Sequence, residues 1–463
     1  RSSGIFYYKK SSDFKTTISL LNYWKIKRGI DVTIICSTRK LDGTLVLRER
    51  IQFDTSDVIN YIPHIAGITE QSDFEGSVEV EAFSSEDLVI PYAAIMVIYE
   101  SKFGISMTHT YGRIYSMHEI EEGNILPICE ETCCHSLLSK GRGKSYFIFH
   151  NGSYTTPVQE PVLSLLNHMG QRTTTKLRLN ALNPYETVKI DPRNYFENYD
   201  QFLNNNPGNL SISFTLNKTA FPRLLSVNES LDENDFQVNH SNFNLSKIIG
   251  PKIDDEFGYN NPPCFNDIET ELVIYPDCEE GEFEAIYDKE KIQFNKDSLT
   301  TIKIDPIKNN CVKFRKINDK LPLRIHTGVR LSKSSDLLPS ETCRGIWHSK
   351  AQPKRFFWIP VAENKKIHSK IIVRHYNEFD SKEKNDTKLI LKLYSAKNFE
   401  IRETQANSSI LSNGVELNSL FDDAKTFLGN SYGWLTIFSE YPYFDVTATM
   451  ENEHGSICYE HSF

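Results

Sequence analysis

The chain repeats itself. His109-Thr110-Tyr111-Gly112-Arg113 returns in the second half as His326-Thr327-Gly328-Val329-Arg330. Each copy is followed by a Leu-Pro pair (Leu126-Pro127; Leu338-Pro339) and by Glu-Thr-Cys (Glu131 to Cys133; Glu341 to Cys343). Then come a His-Ser (His135-Ser136; His348-Ser349) and a basic-aromatic stretch (Lys144 to Ile148; Lys354 to Ile359). Five landmarks in one order imply an internal duplication. A repeat unit dictates architecture before any propensity argument, because each copy must bury its apolar faces in the same way.

A second recurrence splits each half again. A strand-like segment ends in Asp or Asn at Ile51 to Asp54, Val188 to Asp191, Ile302 to Asp305 and Val415 to Asn418. Alternate apolar positions face a core. The terminal Asp or Asn accepts from the first amides of a short helix, and Pro192 or Pro306 fits its first position. An alternating strand follows (Leu210, Ile212, Phe214; Leu435, Ile437; Val78, Val80), then a proline (Pro91, Pro222, Pro442). Next comes a strand carrying a histidine, at His109, His240 and His461, with His326 closing a compressed third copy.

A chain of 463 residues is too long for one ordinary core. One-sided sheets must cover their apolar faces, and two-layer sandwiches do so economically. The reading is therefore a mainly β fold of tandem antiparallel β-sandwich modules, each with a short helix, arranged as a duplicated two-module unit. The expected modules span 1–140, 141–260, a shortened 261–352, and 353–463.

The net charge of −9 removes any general attraction to nucleic acid or anionic membranes. No stretch approaches the ~20 apolar residues of a membrane-spanning helix. The basic run Lys350 to Arg355 reads as a solvated linker. The opening Arg1 to Gly4 reads as a processed start. Glycosylation triplets such as Asn217-Lys218-Thr219 arise by accident in an Asn- and Ser-rich chain; the compartment stays undecided, with a lean toward a cell-surface or extracytoplasmic setting. Among nine cysteines, Cys264, Cys278, Cys311 and Cys343 either form two bridges or stay as buried thiols.

Histidine precedes Ser or Thr at His109, His135, His240, His326, His348, His368 and His461. A buried strand histidine can donate to a carbonyl and accept from a hydroxyl, which fixes its tautomer. His109 and Arg113 stand four apart and share one strand face. An imidazole beside a guanidinium fork suits a carboxylate or phosphate, unless the arginine only bridges module surfaces. His109, Arg113, His326, Arg330 and the terminal Glu460-His461 are the candidate catalytic residues. Cys129, Cys133, Cys134 and His135 form the densest ligand-like cluster, and zinc would be its metal. The paired Cys-x-x-Cys pattern of structural zinc is absent there. His118 with Glu119, Glu121 and Glu122 reads as an exposed acidic turn.

No nucleotide-binding glycine loop, nucleophile elbow or His-Glu-x-x-His motif occurs. The expectation is a non-enzymatic binding or assembly protein presenting an elongated repeat surface to a glycan or protein partner. Trp24, Trp347, Trp358 and Trp434 serve either as sugar platforms or as core. The alternative is an enzyme with a His/Arg or His/Cys site at a module interface, acting on a carbohydrate or anionic substrate. A deep pocket collecting those histidines with carboxylates favours the enzyme; histidines buried singly in each module remove it.

Overall fold

The computed structural model describes residues 2–68, 72–86, 95–109, 130–215, 224–244, 256–276, 280–306, 311–322, 325–347, 354–375, 386–442 and 444–463. Its first module runs β1 (Ser2–Lys10), β2 (Lys15–Leu21), β3 (Thr33–Lys40) and β4 (Leu45–Ile51), then β5 (Val58–Tyr61), β6 (Phe74–Phe83), β7 (Ile95–Glu100) and β8 (Ile105–His109). The second has β9 (Glu130–Leu137), β10 (Lys144–His150), β11 (Val162–Leu166) and β12 (Arg172–Lys176). It continues with β13 (Thr187–Ile190), β14 (Gly208–Thr215), β15 (Leu225–Glu229), β16 (Phe236–His240) and a short β17 (Asn242–Asn244). The third has β18 (Gly258–Asn260), β19 (Glu269–Ile274), β20 (Phe283–Tyr287) and β21 (Glu290–Phe294), then β22 (Thr300–Ile304), β23 (Val312–Lys316), β24 (Thr327–Ser332) and β25 (Ser340–Arg344). The fourth has β26 (Phe356–Val361), β27 (Ile367–His375), β28 (Lys388–Tyr394) and β29 (Ile401–Asn407), then β30 (Val415–Glu416), β31 (Gly433–Ser439), β32 (Phe444–Asn452) and β33 (Ile457–His461).

All four modules use one strand order. One sheet runs first-sixth-third-fourth and the other fifth-second-seventh-eighth, with β17 added beside β9 in the second module. All the pairings are antiparallel. Moving four places round the eight strands converts one sheet order into the other, so each module also carries an internal pseudo-twofold in its connectivity. Cores form between the two sheets. In the fourth module Ile359 and Val361 from one sheet meet Ile371, Val373 and Val446 from the other. Alternation produces this: Leu389, Leu391 and Leu393 of β28 point inward and are fully buried.

The structure corrects four expectations. The boundary near 140 falls too late, because β9 pairs with β14 and opens the second module. The landmark pairs are also out of step by about one strand. Glu131 to Cys133 lie on a first strand, but Glu341 to Cys343 lie on an eighth. His109 ends an eighth strand, whereas His326 precedes a seventh. Short alternating strands rich in Ser and Thr look alike wherever they sit, so motif likeness slipped by one element. The fifth strand of the first module is β5, not Ile51 to Asp54, and α1 (Tyr23–Arg28) lies instead between β2 and β3.

The capped-helix expectation holds at Asp191; in the fourth module the helices form without a side-chain cap, and Asn418 lies inside one rather than capping it. Asp191 accepts from the Arg193 N–H at 2.9 Å and Pro192 opens a short 3-10 turn, followed by α2 (Tyr199–Leu203). After β29 comes α3 (Ser408–Leu411); α4 (Leu417–Leu420) and α5 (Ala424–Leu428) follow β30. Among the described residues the third module has no helix.

The modules close into a ring rather than an elongated array. The eighth strands face one another at its centre: β8 packs on β16 and β33, and β25 packs on β16 and β33. Each seam has its own polar link. Lys9 pairs with Glu229 at 2.8 Å between the first and second modules. Arg172 pairs with Asp297 at 3.0 Å between the second and third. Arg374 donates to Asn261 at 2.8 Å between the third and fourth. The Trp434 indole donates to Ser19 Oγ at 2.8 Å and closes the ring.

Candidate functional site at the module junction

The eighth strands of three modules end in histidine: β8 in His109, β16 in His240 and β33 in His461. The shared topology therefore carries three imidazoles to one place. The His109 and His240 rings lie 4.4 Å apart, and His109 and His461 lie 4.7 Å apart, all edge to face. Glu460 joins them: its carboxylate is 3.6 Å from His109 Nδ1 and 3.5 Å from His461 Nε2. His109, His240 and Glu460 are buried, while His461 keeps about a third of its side chain exposed. The Phe463 ring lies 5.0 Å from His109. Burial holds the His461 imidazole well below its ordinary range, at about 4, despite Glu460 beside it. It is therefore a neutral imidazole at neutral pH.

The third module puts Arg344 where the others put histidine. Its guanidinium donates to the Tyr459 hydroxyl at 2.7 Å and pairs with Asp445 of the fourth module. The Cys343 amide donates to Asn239 at 3.2 Å, and Ser456 Oγ joins the Ile105 amide to the Gln237 side chain. These bonds fix the strand ends relative to one another.

The expected site residues divide accordingly. His109 and His461 meet in the cluster. His240 had shown only as a recurrent strand histidine, and Glu460 only as the neighbour of His461. His326 and Arg330 are not part of it: His326 is buried before β24. Arg330 is held by Glu341 at 2.8 Å and Glu271 at 3.0 Å, both opposite it in its own sheet, so these pairs tie strands within the third module rather than bridge modules. Arg113, Cys129 and the His118 acidic group lie outside the described residues, as does the Cys133 side chain. His135 donates its Nε2–H to the Val227 carbonyl at 3.0 Å and joins no group of metal-capable side chains among the described residues. Cys264 is a free thiol, so the pairing of four cysteines into two bridges does not form. Trp24, Trp358 and Trp434 are core, and Trp347 is half-buried. Nor is Lys354 a solvated linker residue. Its ammonium lies 4.7 Å from the Phe357 ring centre, and desolvation with Lys27 nearby lowers its pKa to about 7.

A second constellation lies at the seam of the third and fourth modules. A groove of about 460 Å³ is bordered by Glu363, His368, Lys370, Glu416, Lys333 and Glu451. His368 Nδ1 lies 2.7 Å from Glu363 Oε1; the other oxygen of this buried carboxylate has no hydrogen-bond partner among the described residues. Lys333 pairs with Glu451 at 2.5 Å and Lys370 with Glu416 at 3.4 Å.

No family model matches the chain, and no curated protein matches it. Among solved structures the chain is similar to a glycosyl hydrolase family 2 member from Bacteroides cellulosilyticus. The identity is 6%, over 100% of this chain and 92% of that one, with a TM-score of 0.13. A likeness of that size carries no argument about fold or activity. Among the described residues no helix is long and apolar enough to cross a membrane.

Proposed function

We propose that the chain is a non-enzymatic binding scaffold, a closed ring of four sandwiches that presents polar grooves at its module seams. The observation that carries this reading is the groove beside Glu363 and His368. At about 460 Å³ it is within the size of small-ligand sites. Its charges already pair with one another, so a charged ligand must break an ion pair to bind. A neutral, hydroxyl-rich ligand such as a short glycan need not. Recognition would run through hydrogen bonds rather than ring stacking, since no described Trp or Tyr is exposed. The candidate catalytic histidine His109 is buried, which argues against turnover at the junction.

The test is titration calorimetry with neutral and anionic oligosaccharides. A neutral oligosaccharide is expected to bind, and His368→Ala to weaken it at least tenfold. Absence of binding across the panel contradicts the reading. Cleavage of the bound sugar makes Glu363 and His368 an acid-base pair and the protein an enzyme.

A further inference from the structure

We propose that His109, His240, His461 and Glu460 bind one divalent transition metal ion, zinc by preference, which clips the first, second and fourth modules together at the ring centre. One ligand atom from each of these four side chains falls in a group whose members all lie within 4.8 Å of one another. A tetrahedral zinc with bonds of ~2.0–2.1 Å needs its donors about 3.3 Å apart. The four donors must close inward by roughly 1 Å to reach that spacing.

The donor set selects the metal. Three imidazoles and one carboxylate suit zinc, cobalt(II) or nickel(II); without thiolate or thioether the site does not suit copper(I). Four protein donors fill a tetrahedron, the closed arrangement of structural rather than catalytic zinc. The ion also balances the Glu460 carboxylate, which is fully buried beside imidazoles. The fourth module supplies two ligands and the first and second one each, so binding couples directly to ring closure. Arg344 occupies the matching place in the third module and keeps its own cation there, paired to Asp445.

This proposal does not depend on the groove or its ligand. Its test is elemental analysis of the whole chain, purified without a histidine tag and reconstituted with zinc, with thermal melts before and after chelation. About one equivalent of zinc is expected, with a melting temperature that drops on chelation and returns when zinc is restored. Cobalt(II) in its place should give the visible absorption of a tetrahedral site. His461→Gln changes the most exposed ligand and is expected to fold while weakening zinc at least tenfold. His454→Gln, in the exposed turn at the opposite end of β33 from His461, should retain the metal. Less than a tenth of an equivalent after reconstitution of folded protein, with no change in melting temperature, overturns the proposal. So does a zinc affinity in His461→Gln equal to that of the unaltered protein.

Discussion

Replacing Arg344 by methionine is expected to destabilise the protein by about 3–5 kcal/mol, the usual effect of removing one partner from a buried ion pair. Both Arg344 and Asp445 are buried, and they belong to different modules. The substitution leaves the Asp445 carboxylate without its guanidinium and the Tyr459 hydroxyl without its donor. An additional Asp445→Leu should recover much of the loss, because an apolar pair of similar volume avoids the stranded charge. Urea denaturation at fixed pH measures both. A loss under 1 kcal/mol for the single variant contradicts the junction described here. A double variant no better than the single one assigns the loss to packing rather than to the charge.

Acid is expected to unfold the protein over a window set by two other histidines. His135 and His150 are buried, and desolvation lowers their pKa values to about 4 and about 3. His135 donates to the Val227 carbonyl, and His150 Nδ1 lies 2.9 Å from Thr187 Oγ1. The unfolded chain takes up these protons near pH 6.5, where an unperturbed imidazole titrates. The folded chain does not take them up until pH 4 or below. Between those limits the unfolded state holds more protons, so stability falls as pH falls, by about 1.4 kcal/mol per pH unit for each histidine. Denaturant midpoints at a series of pH values from 7 to 4 record the slope. The double variant His135→Gln, His150→Gln should lower the slope and leave the share of His461, whose pKa is also lowered to about 4; an unchanged slope removes the two residues as its cause.

The strand content and modular plan were legible because they rest on local patterning. Leu389, Leu391 and Leu393 alternate, and Asp191-Pro192 announces a capped turn, whatever lies elsewhere in the chain. The recurrent histidine before Ser or Thr was legible too, at 109, 240 and 461. Its fourth member was misread. His326 resembles His109 in its neighbours, but the topological equivalent is Arg344, and no local rule distinguishes a seventh strand from an eighth. The cluster itself was illegible for a related reason. It depends on four modules closing a ring, and ring closure is set by seam contacts such as Trp434 with Ser19, between residues at opposite ends of the chain. A string of the same modules would keep its histidines apart and leave contacts between the first and fourth modules, such as Tyr23 on Trp358, unmade.

Small-angle X-ray scattering of the whole chain separates those two arrangements. A compact protein of this length has a radius of gyration of about 23 Å, whereas four such modules in a line give roughly 40 Å. The closed ring requires a value near the first. A value near the second would leave His109, His240 and His461 in separate modules and remove the junction altogether.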